Sequence, residues 1–174
     1  SSRSFYQINP VQTEKLYSAA ISLAGLTGTE TVLDAYCGIG TIGLSASDKA
    51  KQVIGVEINR DAVNDAIANA RLNGVKNCWF TVGDAGKYME QMAADKVRPD
   101  VVFMDPPRAG SDERFLSSLL KCAPRRIVYI SCNIDTQRRD LDVLLSGGYK
   151  LRRIQPVDMF PYTEHIECVV MLER

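Results

Sequence analysis

Cys132 stands where an apolar run gives out: Ile127, Val128, Tyr129 and Ile130 lead through Ser131 into Cys132-Asn133. A thiol there is either a small core filler or a nucleophile able to add to an electron-poor carbon. Asp105 ends another apolar run, "DVVFMD", and is followed by Pro106-Pro107. Two residues without N–H groups and with fixed φ make a stiff loop, which suits a carboxylate that orients a planar ring. Glu167 lies in the late apolar stretch "IECVVML". A carboxylate in apolar surroundings has a raised pKa, which suits proton abstraction near neutrality. Upstream, "DAYCGIGTIG" (34–43) carries Gly38 and Gly40, which allow a tight turn and a close backbone approach to a ligand. Glu57 follows Asp34 by 23 residues and ends "QVIGVE", a place from which an acidic side chain accepts from ribose hydroxyls. Glycines plus such an acid indicate a nucleoside cofactor.

These residues need strands to end beside them, and the chain alternates accordingly. Short apolar runs at 31–36, 52–57, 78–84, 100–105 and 126–131 read as strands. Between them, 41–50, 60–74, 85–94 and 112–122 read as helices, with 11–26 before the first strand and 134–148 after the fifth. Asn133 is placed to cap the last helix and Gly147-Gly148 to end it. Two final strands, near 149–158 and 166–172, have no helix between them and predict an antiparallel hairpin at one sheet edge. The expected fold is α/β and Rossmann-like: seven strands, mostly parallel, in one domain over residues 1–174. In such sheets ligands sit beyond the carboxyl ends of the strands, where the residues above fall.

Lys+Arg and Asp+Glu both number 21, so no basic excess marks a free-standing nucleic-acid binder. The five cysteines are widely spaced with no CxxC pair, which argues against a disulfide framework or a zinc site and for a reducing, cytoplasmic setting. No metal site and no membrane span is expected. The opening "SSRSFYQINP" has no methionine and reads as the start of a fragment of a longer protein.

The D-x-x-C-G-x-G form of "DAYCGIG" resembles the first motif of class I S-adenosylmethionine-dependent methyltransferases. Asp84, after "CWFTVG", then suits a carboxylate near the adenine. The chain as a whole resembles the catalytic domain of the RNA uracil-C5 methyltransferases, which make 5-methyluridine in ribosomal and transfer RNA. The resemblance rests on "FYQINPVQTEKLY", "DAYCGIG", "DPPRAG", "SCN" and "DMFPYTEHIECVVML", in that order. One departure is Ile134, where the family often has proline.

The resemblance implies S-adenosyl-L-methionine as cofactor, with Gln7, Tyr36, Gly38, Gly40, Thr41, Glu57, Asp84 and Asp105 toward it. Phe5 and Asp105 would face the uracil, Cys132 would be the nucleophile and Glu167 the base. It also implies an RNA partner, ribosomal RNA ahead of transfer RNA, for a monomer whose N-terminal RNA-binding domain lies outside this chain. Competing readings are an N- or O-methyltransferase of the same fold and an inactive RNA-binding module.

Three local expectations complete the reading. Cys132 precedes a helix whose positive N-terminus should lower its thiol pKa, with Asp135 opposing. Strand alternation places His165, Glu167 and Val169 on one face, His165 as a structural or hydrogen-bonding residue and Glu164 in solvent. Arg125-Arg126, Arg138-Arg139 and Arg152-Arg153 are candidate phosphate contacts.

Overall fold

The structure is a computed structural model, and it describes residues 10–159 and 166–174. Helix α1 (Pro10–Ala24) precedes the first of five βα units. Their strands are β1 (Thr31–Ala35), β2 (Gln52–Glu57), β3 (Cys78–Val82), β4 (Val101–Met104) and β5 (Arg126–Ser131). The helices that follow them in turn are α2 (Thr41–Ala46), α3 (Arg60–Leu72), α4 (Ala85–Ala94), α5 (Glu113–Cys122) and α6 (Ile134–Ser146). Strands β6 (Lys150–Asp158) and β7 (Ile166–Glu173) close the described chain.

The seven strands form one sheet in the order β3-β2-β1-β4-β5-β7-β6. β1 to β5 pair in parallel, and β7 runs antiparallel to both β5 and β6. The expected α/β fold is therefore present. The expected antiparallel hairpin forms one edge of the sheet, with β7 between β5 and β6 so that β6 is the outer strand. The apolar run Cys168–Leu172 accounts for this: Val169, Val170 and Leu172 are at most 1% exposed, as a strand covered on both faces requires, whereas every residue of β6 but Val157 is exposed.

Each face of the sheet has its own core. α1 and α2 bury Leu16, Ala20, Ile42 and Ala46 on Val32, Phe103, Val128 and Val169. α4, α5 and α6 bury Met89, Phe115, Leu119 and Leu144 on Leu33, Met104, Tyr129 and Val170. The alternation between the two clusters along each strand is the period-two pattern of a pleated sheet.

The helix expected over 41–50 ends early. Residues Ser47–Lys49 form a 3₁₀ turn. The Asn77 side-chain amide donates to the carbonyls of Ser47 and Ala50 at 2.9 and 3.1 Å, which turns them out of a helical ladder. Asn133 caps α6 as expected, its side chain accepting from the amides of Asp135 and Thr136.

Gly55, in the middle of β2, has no room for a methyl group: a Cβ there would run into the Phe80 ring and stand 2.9 Å from Cys37 Sγ. Gly55→Ala is expected to cost roughly 1–3 kcal/mol through overpacking. Urea denaturation should show a lower midpoint at an unchanged m-value; an unchanged midpoint would mean that Phe80 moves aside freely.

Candidate active site

Strand register decides which side chains meet. Asp34 is aligned with Gly55 of β2 and with Phe103 of β4, Phe103 with Val128 of β5, and Val128 with Met171 of β7. Aligned residues share a face, and so does every second residue along a strand. Counting by twos toward the carboxyl ends of the parallel strands reaches Glu57, Asp105 and Cys132. The same count along antiparallel β7 reaches Glu167. These four residues and Asp34 project from the face that carries α1 and α2. Ser131 pairs with Cys168, so one step on brings Cys132 alongside Glu167.

A cavity of about 900 Å³ opens at this edge, lined by Glu57, Asp105, Cys132 and Glu167. Tyr36, Gly38, Thr41 and Asp84 complete its first half, toward β1 to β3. Gly40 is not part of the wall. A Cβ there would lie 2.9 Å from Phe80 and 3.0 Å from Ala66, so Gly40 packs the loop onto its neighbours. Gly38 has φ +54° and nothing within 4 Å of its would-be Cβ, so its backbone is bare toward the cavity. Phe5, Gln7, Glu164 and His165 lie outside the described residues.

The nucleoside half is stiff. The Glu57 carboxylate accepts from the Gly38 amide at 3.0 Å through one oxygen and from the Asn59 amide at 2.8 Å through the other. Each oxygen retains a second lone-pair direction for a hydroxyl. Asp84 caps α4 by accepting from the Lys87 amide at 2.9 Å. Tyr36 donates its hydroxyl to Ser111 Oγ at 3.2 Å, and its ring tilts against Phe115 with centroids 5.2 Å apart. Burial and the nearby carboxylates push that phenol up to about 12. The bare Gly38 backbone, the braced acid beyond it and the cavity volume fit an adenosine-type cofactor.

The chemical half is dominated by acids held out of water. Burial pushes Asp105 up to about 8, with the charges of Glu167 and Asp34 adding to the rise. Asp34 is 1% exposed and accepts from the Gly43 amide at 2.9 Å. Burial, and after it the charge of Glu57, raises it to about 7 against that hydrogen bond. Burial also raises Glu167, as its apolar strand predicts.

Cys132 is the one exposed cysteine of the five. Its thiol pKa is raised, by burial of the sulfur first and then by Glu167 and Asp105, with a backbone hydrogen bond and Arg108 opposing. The expectation of a thiol lowered by the helix N-terminus is thus overturned. Two of the amides that would favour a thiolate are spent on Asn133 Oδ1, and the facing carboxyls outweigh what remains. Ser131 fixes the turn itself: its hydroxyl donates to the Asn133 carbonyl at 2.9 Å and accepts from the Asn133 amide at 3.0 Å. Burial raises the thiols of Cys37, Cys78, Cys122 and Cys168, Cys78 to about 11.

Four of the six arginines in these pairs have carboxylate partners among the described residues, while Arg125, Arg139 and Arg152 stay about half exposed. Arg126 donates to the Ala24 carbonyl and pairs with Glu173, Arg152 also pairs with Glu173, and Arg125 pairs with Glu30. Arg139 binds Asp140 at 2.7 Å. Sequence reasoning also passed over Thr13 and Tyr17, which face the cavity from α1, and Asn59 and Asp112, which face it while capping α3 and α5. The four-residue spacing of Thr13 and Tyr17, one helical face, was the available signal. Among the described residues no cluster of three or more His, Cys, Asp or Glu could hold a metal ion, and no helix is long and apolar enough to cross a membrane.

The strand order, the cavity at the carboxyl edge and the bare glycine beside an acid define a class I methyltransferase fold. Distant structures share it: a precorrin-6y C5,15-methyltransferase of Geobacter metallireducens superposes with a TM-score of 0.74 at 15% identity, over 92% of this chain and 88% of that one. The chain belongs to the tRNA (Uracil-5-)-methyltransferase family, whose match covers residues 1–174. A Halalkalibacterium halodurans protein named "Uncharacterized RNA methyltransferase" is 57% identical over 99% of this chain and 38% of its own length. An Enterococcus faecalis protein of the same name is 50% identical over the whole chain and 38% of its own. The tRNA (uracil-54, C5)-methyltransferase of Pyrococcus abyssi, solved with S-adenosyl-L-homocysteine, is 34% identical and superposes with a TM-score of 0.82, over 98% of this chain and 40% of that one. The chain thus spans under half the length of the relatives it matches.

Two outcomes test the electrostatics. In the unfolded chain Asp105 titrates at about 3.9, well below its folded value of about 8. A raised folded pKa gives stability that is complete below pH ~4 and lost as pH rises toward 8. Asp105→Asn should therefore melt above wild type at pH 8 by several degrees, since 1 kcal/mol is about 2–4 °C at this size. The gap should close by pH 4; a wild type that melts higher at pH 8 would contradict the assignment. Glu167→Gln removes one of the charges that raise Cys132. Peptide mapping after iodoacetamide should show half-maximal alkylation of Cys132 at lower pH than in wild type, and a shift the other way refutes the coupling.

Proposed function

We propose that this domain transfers the methyl group of S-adenosyl-L-methionine to carbon 5 of a uridine in RNA, through a covalent bond between Cys132 and carbon 6. The observation that carries the reading is the shared sheet face, which opens Cys132, Asp105 and Glu167 into the cavity that holds Gly38 and Glu57. In this reading residues 1–174 are the catalytic domain, and the remaining length of the whole protein supplies RNA-binding parts.

Carbon 5 of uracil is too poor a nucleophile to react unaided. The exposed Cys132 thiol gives its proton to solvent, and the thiolate adds to carbon 6, forming the S–C bond and pushing the C5–C6 electron pair toward carbon 5 and the O4 carbonyl. Asp105 holds the ring. With a pKa near 8 its carboxyl is largely protonated at neutral pH, so it gives one hydrogen bond and accepts another. Neutral Asp105 also spares the forming thiolate one repulsive charge. The bound cofactor supplies an electrophilic methyl group on a sulfonium, for which Glu57, Asp84 and the Gly38 backbone provide the nucleoside seat. Glu167, next to Cys132 across the β5–β7 ladder, removes the carbon-5 proton. The electrons of that C–H bond restore the double bond as the C6–S bond breaks and the thiolate leaves.

RNA carrying 5-fluorouridine has no proton for Glu167 to remove, so the adduct should accumulate. The complete wild-type protein is expected to form a denaturation-resistant RNA complex in the presence of S-adenosylmethionine, and Cys132→Ala none. Parallel ribosomal and transfer RNA transcripts identify the substrate; ribosomal RNA is the proposed one, although the family description and the Pyrococcus abyssi enzyme both name transfer RNA. A complex that survives Cys132→Ala ends the mechanism.

A further inference from the structure

Behind the cavity wall, α6 grips the segment that follows Asp105. Asp140 is fully buried on α6. Its Oδ2 accepts from the Ser111 amide at 2.8 Å and from the Tyr129 hydroxyl at 2.7 Å. Its Oδ1 accepts from Arg139 Nε and Nη2 at 3.0 and 2.7 Å. The same Nη2 donates to the carbonyls of Ala109 and Ser111 at 3.1 and 3.2 Å. Thr136 Oγ1 donates to the Arg108 carbonyl at 3.1 Å, shared with its own helix at Asn133 O, 3.2 Å. Three carbonyls and one amide of Arg108–Ser111 are thereby tied to a helix that starts two residues after Cys132.

The fit is close. Gly110 has φ +82°, and a Cβ there would lie 2.9 Å from Asp140 Oδ2 and 3.2 Å from Thr136 Cβ. Pro106 and Pro107 stiffen the start of the loop through their fixed φ but offer no N–H, so its hydrogen-bonded restraint comes from its later residues and from α6. Tyr36, bonded to Ser111 Oγ, joins the cofactor wall to the same segment. Charge-assisted bonds from a guanidinium to carbonyls are among the stronger neutral-pH restraints.

We propose that Thr136, Arg139 and Asp140 are positioning residues for the methyl-transfer reaction: a latch that fixes Asp105 and Arg108 against Cys132. Arg139 acts on this loop and not on RNA phosphates. The inference rests on the function proposed above. A misplacement of about 1 Å in a reacting group costs on the order of 100-fold in rate.

The experiment compares Thr136→Val, Thr136→Ser, Arg139→Gln and wild type in the complete protein. It reads the rate of adduct formation with saturating 5-fluorouridine RNA, RNA affinity at two salt concentrations, and amide hydrogen exchange across residues 108–111. Thr136→Val and Arg139→Gln should form adduct roughly 10- to 100-fold more slowly, consistent with that geometric penalty. Their RNA affinity and its salt dependence should stay within about twofold of wild type, and Thr136→Ser should recover most of the rate, the pattern of a positioning role. Exchange at 108–111 should quicken in both slow variants while β2 and β3 keep wild-type protection. Weakened, less salt-dependent RNA binding at an unchanged saturated rate would make Arg139 a phosphate contact and overturn the latch. So would wild-type adduct rates, or wild-type exchange, in both variants. If Arg139→Gln misfolds, Thr136→Val, which removes one hydroxyl, still decides. Absence of adduct in wild type defeats the proposed chemistry instead, and the exchange data then judge the latch on their own.

Discussion

Acidic groups gathered on one water-poor surface cannot all be ionised together, and the site is arranged around that constraint. Asp34, Asp105 and Glu167 share a sheet face with the Cys132 thiol, and each has its pKa pushed upward by burial. Protons held on the carboxyls lower the cost of making the sulfur anionic. The thiol's ionisation therefore depends first on its burial and then on the charge carried by Glu167 and Asp105. Arg108 opposes the rise of the thiol, and its backbone carbonyl accepts from Thr136.

Rigidity is supplied from behind. Ser131 and Asn133 fix the turn that bears Cys132, while α6 reaches back over the segment after Asp105. The Cys132 turn and the segment after Asp105 are thus referenced to one helix and not to two independent loops. On the cofactor side Glu57 plays a comparable part, spanning the Gly38 and Asn59 amides and joining the first turn to the second.

Much of this was legible in the residues. Apolar runs that end in Glu57, Asp105 and Ser131-Cys132 mark strand ends without ambiguity, because a charged or reactive side chain after a buried run has to sit at the rim. The helix cap at Asn133 was equally local. What escaped were contacts between residues far apart in sequence. Thr136 meets Arg108 across 28 residues, Asn77 unwinds the end of α2 across 27 or more, and neither leaves a spacing signature. The direction of the Cys132 shift was missed for the same reason: the helix dipole is a local feature, whereas Asp105 and Glu167 arrive through the sheet. The position of β7 between β5 and β6 is a matter of pairing partners, which period-two patterning does not report. Arg139 read as a candidate phosphate contact, because a buried partner one residue away looks, in sequence, like an ordinary surface neighbour.

The interior place of β7 also orders the site in time. Both of its neighbours in the sheet precede it along the chain, so during synthesis β5 and β6 leave the ribosome first and the gap between them stays open. Until that strand enters, the nascent domain carries Glu57, Asp105 and Cys132 without Glu167 beside the thiol. In the proposed reaction, the late strand that completes the sheet is also the one that brings the group needed to release the product.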